Sequence, residues 1–305
     1  MSVRFGIALP SQVSPDPSPE SMLRVAEAAD RLGFDSVWAG DRLFGPNFPI
    51  LDPLVLLSHL ASRTTRVKLG TAVLILPLRN PVVLAKTLST LHYLSGGRLV
   101  LGLSLGGRKE DYEAVGVSFE RKAGLFVSSV KLMKKLWTEA NVTESYGDWR
   151  LQNASMSPRP PSGGLPRMLF GGYAEGVLKR TGRYADGYMA GTAMPPEKFA
   201  ENWRKILDYA KESGRDASLL EPAKLWYTYV SEDRQSAKRL LSSRLEAYCG
   251  KYDVEENCIF GSPEDCVARL NKYYEAGVRT FILEPIVAEV EQVERIRKEI
   301  IPRVG

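Results

Sequence analysis

The chain has 305 residues, of which 44% are hydrophobic, 25% charged and 9% aromatic, and its formal net charge is +5. No window approaches the roughly 18 consecutive apolar residues that a membrane-spanning helix needs, and no helix-turn-helix, zinc-finger or aromatic-basic ribonucleoprotein motif points to nucleic acid. Cys249, Cys258 and Cys266 form an odd set without CxxC spacing, which argues against a disulfide framework; with His59 and His92 as the two histidines, a zinc site or a histidine-based triad has few ligands or bases to draw on.

The run Met1–Pro10 begins directly with strand-like residues and carries no secretory pattern, so a cytoplasmic location is expected. The mild positive charge fits a soluble surface with a few extra lysines, or a basic mouth that draws an anionic cofactor or substrate.

Short apolar runs alternate with longer helical patterns. Val3–Leu9 reads as a strand. Pro19–Gly33 reads as a helix with Met22, Leu23, Ala26, Ala29 and Leu32 on one face, capped by Ser18, opened by Pro19 and stopped by Gly33. Asp35–Ala39 is a second strand and Asp52–Arg63 a helix with Pro53 at its start. Val67–Leu74 is strand three, Pro81–Leu94 a helix capped by Asn80, and Arg98–Ser104 strand four, with Gly96-Gly97 between them as a helix C-cap.

A long helix is expected over Glu120–Glu139, a β-hairpin over Val142–Leu151 around Tyr146-Gly147-Asp148, and a linker-like loop over Pro158–Pro166. The alternation resumes with strand five at Met168–Phe170, a helix at Ala174–Tyr184, strand six at Gly187–Ala190, a helix at Pro196–Ser213 and strand seven at Lys224–Val230. Helices at Gln235–Tyr248 and Pro263–Ala276 precede strand eight at Thr280–Leu283, and a last helix covers Glu289–Ile300. Eight strand–helix pairs predict an α/β fold: one (β/α)8 TIM barrel over residues 1–305, with an insertion at about 105–170 that contains the hairpin after strand four. A doubly wound sheet is the rival, weakened because no GxGxxG follows strand one and no Walker A pattern is present.

In a barrel the working face lies where strands end and βα loops begin. Strand two ends in Asp41-Arg42, strand three near Ala72-Val73, strand four in Gly106-Gly107, strand five in Gly171-Gly172-Tyr173-Ala174 and strand eight in Glu284-Pro285. Glycines before a helix start let a phosphate approach free N–H groups at the positive end of the helix dipole. A tight βα turn asks for the same residues, but the second glycine pair at a neighbouring strand end favours a phosphate cradle. Trp226, Tyr227 and Tyr229 on strand seven fit barrel packing and a substrate wall equally. His59, on a covering helix, and His92, near the bottom face, read as structural.

Six motifs follow one another along nearly the whole chain: Gly70-Thr71-Ala72-Val73, Ser95-Gly96-Gly97-Arg98, Gly106-Gly107, Gly171-Gly172-Tyr173, the Gly182–Tyr188 turn, and Phe260–Asp265 with Glu275–Val278. In this order they resemble the luciferase-like family of flavin- and deazaflavin-dependent oxidoreductases. The resemblance implies a barrel that binds coenzyme F420 or FMN. In F420-using members a non-proline cis peptide in strand three backs the deazaflavin ring, and the matching bond is Ala72-Val73. The cofactor-binding residues implied are Ala72, Val73, Gly106, Gly107, Gly171, Gly172, Tyr173 and Ala174, with the glycine pairs at its phosphate.

The function implied is hydride transfer between F420 and an unidentified organic substrate. The Pro77–Lys86 stretch and the mild positive charge favour F420, whose oligoglutamate tail is anionic. The alternative is an FMN-dependent monooxygenase using reduced flavin and O2; a third reading is a barrel that binds flavin without catalysis. F420-using relatives often carry Asp-His after strand two and glutamate after strand four, where this chain has Asp41-Arg42 and Gly107. Arg42 would stay protonated and could bind an anion. Asp41 could position a cofactor hydroxyl or ring edge, or cap the following turn. Glu284 and Tyr173 are placed for acid–base duty by location, and Asp41, Arg42 and Glu284 stand as the catalytic candidates. No metal is expected. The partners implied are a small-molecule substrate and a separate flavin or F420 reductase, with neither nucleic acid nor membrane; relatives often form homodimers.

Overall fold

The computed structural model describes residues 2–10, 18–45, 50–146, 149–161 and 164–305. The first part alternates strictly: β1 (Arg4–Ala8), α1 (Pro19–Leu32), β2 (Ser36–Ala39), α2 (Pro53–Ala61), β3 (Lys68–Ile75), α3 (Pro81–Leu94) and β4 (Leu99–Ser104). Next come α4 (Lys109–Ala114), α5 (Lys122–Thr138), β5 (Val142–Tyr146) and β6 (Trp149–Ala154). The rhythm returns with β7 (Arg167–Gly171), α6 (Glu175–Tyr184), β8 (Gly187–Ala190), α7 (Pro196–Glu212) and β9 (Glu221–Val230). The chain closes with α8 (Arg234–Cys249), α9 (Val254–Asn257), β10 (Ile259–Gly261), α10 (Pro263–Glu275), β11 (Thr280–Pro285) and α11 (Val290–Arg295).

Eight strands pair in the order β1-β2-β3-β4-β7-β8-β9-β11, all parallel, and β11 pairs back onto β1. Parallel neighbours need crossover connections, which the intervening helices supply. This is the expected TIM barrel. The hairpin β5–β6 is antiparallel and lies between β4 and β7; its turn, Gly147-Asp148, and Ser162-Gly163 of the expected linker loop fall outside the described residues. Within the same stretch α5 serves as the barrel's fourth covering helix. Its Trp137 donates from Nε1 to the Ala85 carbonyl of α3 at 3.0 Å, and its Phe126 meets Phe170 of β7 edge-on. The elements added to the barrel plan are therefore α4 and the hairpin.

Local chemistry sets the helix ends. Ser18 Oγ accepts from the Ser21 amide at 3.0 Å, Asp52 from Leu54 and Val55, and Asn80 from Val82 and Val83; such caps each contribute about 1 kcal/mol. Gly33 closes α1 in the left-handed region at φ 80°. Three elements lie outside the expected set: α4, α9 and β10, of 6, 4 and 3 residues, are too short to show a period. The last expected helix is α-helical to Arg295 and then widens into a π turn over Ile296–Ile300.

Alternation along each strand divides the core in two. Ala8, Trp38, Val100, Leu169, Met189, Ala223, Leu225 and Ile282 fill the lumen, while Ile7, Val37, Leu69, Leu101 and Phe170 pack outward under the helices. Trp38 takes so much of the lower lumen that its neighbours must be glycine. A Cβ on Gly70 would lie 2.0 Å from the indole, and one on Gly6 2.6 Å from its Nε1. Below it, Arg4 and Arg167 meet Glu221 at 3.1 and 3.5 Å, and Thr280 Oγ1 donates to the same carboxylate at 2.8 Å. The other end is open. β8 pairs with Glu221–Lys224 and stops, whereas β9 runs on to Val230 and takes β10 alongside, so the barrel parts between β8 and β9 at the carboxyl ends of its strands.

Candidate active site

A cavity of about 600 Å³ occupies that open end. β3 supplies Ala72 and Val73: its register with β4 shifts between Thr71 and Leu74, and this bulge leaves both half-buried side chains packed on the lumen cluster. The Ala72–Val73 peptide bond is cis. β4 leads into Gly106-Gly107, and β7 into Gly171-Gly172-Tyr173-Ala174. All eight residues expected to bind the cofactor line this one cavity.

The two glycine turns differ in what they require. Gly106 and Gly172 have φ of 66° and 127°, conformations that L side chains rarely adopt. Gly107 faces open space, with nothing within 4 Å of an added Cβ. Ala174 precedes α6 without a side-chain cap, so the first amides of that helix are left for water or an anion at the positive end of the dipole. Lys122, at the start of α5, adds a cation to the same wall; no motif marks it in the sequence. Opposite, Val73, Met189, Leu225 and Tyr227 make an apolar bed. A Cβ on Gly171 would lie 3.2 Å from Val73 Cγ1, so glycine keeps that bed accessible. An apolar bed beside glycine turns, a bare helix end and a lysine fits a flat ring system carrying a phosphate.

The three catalytic candidates lie outside this lining. The Asp41 side chain is 4% exposed and committed: Arg79 donates to both its oxygens at 2.7 and 3.0 Å, and the Ile75 amide donates at 2.8 Å. Asp41 thus pins the end of β3 to the loop after β2. Arg42 lies 4.9 Å from the Tyr248 ring centroid and donates to the Tyr248 carbonyl at 3.4 Å. Glu284, the second-last residue of β11, faces the lumen in register with Tyr227, which does line the cavity. Glu284 is 7% exposed and, among the described residues, makes no hydrogen bond or ion pair. Burial pushes its carboxyl up to about 8, so it keeps its proton at neutral pH. Burial, and then the nearby Glu284, raise the Tyr227 hydroxyl well above its usual value.

Sequence reasoning missed Lys224, which entered there as the start of a strand. It is fully buried and points outward from the barrel, where its Nζ donates to the carbonyls of Gly191 and Thr192 at 2.8 and 2.9 Å. Its ammonium lies 4.6 Å from the Trp226 ring centroid and 5.2 Å from that of Tyr273, and burial pushes its pKa well down. Gly191 and Thr192 line the cavity, so Lys224 fixes that wall from behind. Alternation also separates the aromatic run on β9. Trp226 stacks on Phe281 in the helix layer at 5.6 Å, and of Trp226, Tyr227 and Tyr229 it is Tyr227 that lines the cavity. Tyr173 stands at the rim, 76% exposed.

His59 is exposed on α2; His92 is buried against the Gly164 carbonyl at 3.0 Å, and burial lowers its pKa. Among the described residues no group of three or more His, Cys, Asp or Glu is placed to hold a metal, and no helix is long and apolar enough to cross a membrane.

Comparison with known proteins gives the site its relatives. A phthiodiolone/phenolphthiodiolone dimycocerosates ketoreductase of Mycobacterium sp. is 29% identical over 200 residues, 64% of this chain and 52% of the relative. An F420-dependent glucose-6-phosphate dehydrogenase of Kineococcus radiotolerans is 34% identical over 207 residues, 65% of this chain and 60% of the relative. The chain thus spans between half and two thirds of the length of these curated relatives. An F420-dependent secondary alcohol dehydrogenase, solved in complex with an F420-acetone adduct, shares the fold at a TM-score of 0.87 and 23% identity, with 100% of both chains covered. The profile of the luciferase-like monooxygenase family matches residues 3–254, and the chain belongs to that family.

Proposed function

We propose that this chain is an oxidoreductase that binds coenzyme F420 in the cavity at the open end of its barrel and transfers hydride between it and a carbonyl or carbinol carbon of a small organic substrate. The observation that carries the reading is the convergence of Ala72, Val73, Gly106, Gly107 and Gly171–Ala174, from three separate strands, on one cavity. The relatives support it: one is named F420-dependent, and both are named for reactions at a carbonyl or carbinol carbon. When bound, F420 supplies or accepts the hydride.

The protein's part is binding, orientation and exclusion of water. Val73, Met189 and Leu225 would give the ring system an apolar face, and the amides after Gly171, the open approach at Gly107 and the Lys122 ammonium would hold the phosphate. Asp41 holds the β3 bulge through Ile75 and Arg79, and Lys224 holds the opposite wall. The same reading takes residues 1–305 as one barrel domain in the cytoplasm, served by a separate F420 reductase and able to pair as a homodimer. FMN also joins a ring to a phosphate, and the family's description as monooxygenases makes an FMN-dependent monooxygenase the second reading.

Parallel fluorescence titrations with F420 and FMN decide between them. Tight binding of F420 alone supports the deazaflavin oxidoreductase. Tight binding of FMN alone favours the monooxygenase, and binding of neither removes the site assignment. Cofactor bound without turnover of any reducible substrate would leave the non-catalytic barrel.

A further inference from the structure

We infer that Glu284 is the acid–base group of this site: standing beside the lining residue Tyr227, it passes its carboxyl proton through a cavity water to the substrate oxygen as hydride reaches the adjoining carbon, and takes a proton back in the reverse direction. The inference rests on the deazaflavin reading and deepens it.

Reduction of a carbonyl needs two things. The carbon takes a hydride with its two electrons, the C=O π pair moves onto oxygen, and that oxygen must then receive a proton. The reduced deazaflavin is the reductant and is oxidised as the hydride leaves. The proton has to come from a group near the cavity that holds it at neutral pH and can release it. The titratable groups in the lining are poorly suited. Tyr173 stands out at the rim, Lys122 lies over the Phe119 ring with its centroid 3.0 Å away, and burial raises the Tyr227 hydroxyl well above its usual value. Arg42 keeps its proton, and Gly107 has none to give.

Glu284 meets the requirement by position. It faces the lumen beside Tyr227, at the carboxyl end of β11, where barrel chemistry is done. Its charge acts on Tyr227 of β9 and on Tyr248 near the end of α8; Cys249, Tyr252 and Arg42 act in turn on those tyrosines. Arg42 is the cation among them, and it is engaged on the Tyr248 ring and carbonyl and forms no ion pair with Glu284. A buried carboxyl with no ion pair among the described residues stays protonated. In the proposed step the Glu284 O–H bond breaks and a substrate O–H bond forms. The carboxylate left behind is again buried and unpaired, so it recovers a proton from water.

The test uses the full chain and its Glu284→Gln and Glu284→Asp variants. Infrared spectra of the cofactor-free proteins across pH read the carboxyl directly. The wild type should show a protonated-carboxyl band that titrates near 8, and Glu284→Gln should lack it. F420 affinity should stay within about threefold in both variants. With chemically reduced F420 and a panel of aliphatic and cyclic ketones, kcat of Glu284→Gln should fall at least about 100-fold, the usual size of general-acid catalysis. Its fall-off with rising pH should vanish, and Glu284→Asp should restore the profile. A Glu284 ionised at pH 6 overturns the inference, as does a Glu284→Gln that keeps the wild-type kcat and pH profile. Failure of the wild type to bind F420 sinks the deazaflavin reading whatever the infrared shows. F420 binding without reduction of any ketone sinks the acid role alone, because the donor would have no oxygen to serve.

Discussion

The two ends of the barrel handle charge in opposite ways. At the amino end, Arg4, Arg167 and Thr280 converge on Glu221, and Trp38 fills the lumen above them so closely that Gly6 and Gly70 admit no side chain. At the carboxyl end, the lumen widens into a cavity, two glycine turns and a bare helix start face it, and Glu284 is buried without a partner among the described residues. Both ends carry a glutamate facing inward, and their surroundings give them different work. A paired carboxylate closes a structure; an unpaired one keeps a proton available and lowers stability. Ion pairing and tight packing mark the end that holds the barrel, while open space and a carboxyl with no ion pair among the described residues mark the end that acts.

The largest effect is expected where charge enters the open end. Gly107→Asp places a carboxylate in free space beside the proposed phosphate position, at a backbone conformation open to any residue. F420 affinity should drop about 100-fold, or roughly 3 kcal/mol, with the thermal midpoint little changed. Unaltered affinity in the folded variant would remove the phosphate assignment.

Glu284→Gln should separate stability from activity. The folded-state pKa of Glu284 is raised, from an ordinary 4.5 to about 8. Its contribution is therefore full below pH 4.5 and is lost progressively as pH rises toward 8, because the unfolded chain ionises first. Removing the titration should stabilise the protein by about 3 kcal/mol at pH 7 and by nothing at pH 4. Denaturant unfolding at both pH values checks this, and equal stability of the two proteins at pH 7 would contradict the buried, unpaired carboxyl.

At the closed end the sign reverses. Glu221→Ala leaves Arg4 and Arg167 without their shared partner and should cost about 2 kcal/mol, with F420 affinity unchanged. A loss of affinity with little loss of stability would break the division between the two ends. The smallest effect is expected at Asp41, which supports the open end from outside. Asp41→Asn weakens the tie to Arg79 and Ile75 and should cost about 1 kcal/mol. F420 affinity should fall a few-fold as the β3 bulge loosens, and the pH profile of kcat should not move. A shifted profile would mean that Asp41 itself exchanges a proton.

Local chemistry decided much of this protein from the sequence alone. Ser18 and Asn80 cap helices at the expected positions, α3 and β8 fall on their expected residues, and the glycine pairs stand at the expected strand ends. These features depend on residues a few positions apart, so a single chain displays them. The barrel followed from their alternation, and the ordered motifs pointed to the family. The tertiary structure alone decided which neighbours each polar group acquired. Asp41 finds Arg79 across two connections, Lys224 turns outward to hold Gly191 and Thr192, and Trp226 turns into the helix layer while Tyr227 faces the cavity. Nothing near Glu284 in the sequence foretells that it ends buried and unpaired. Burial and pairing are set by residues that barrel closure brings together from distant parts of the chain, and a titratable group takes its character from them.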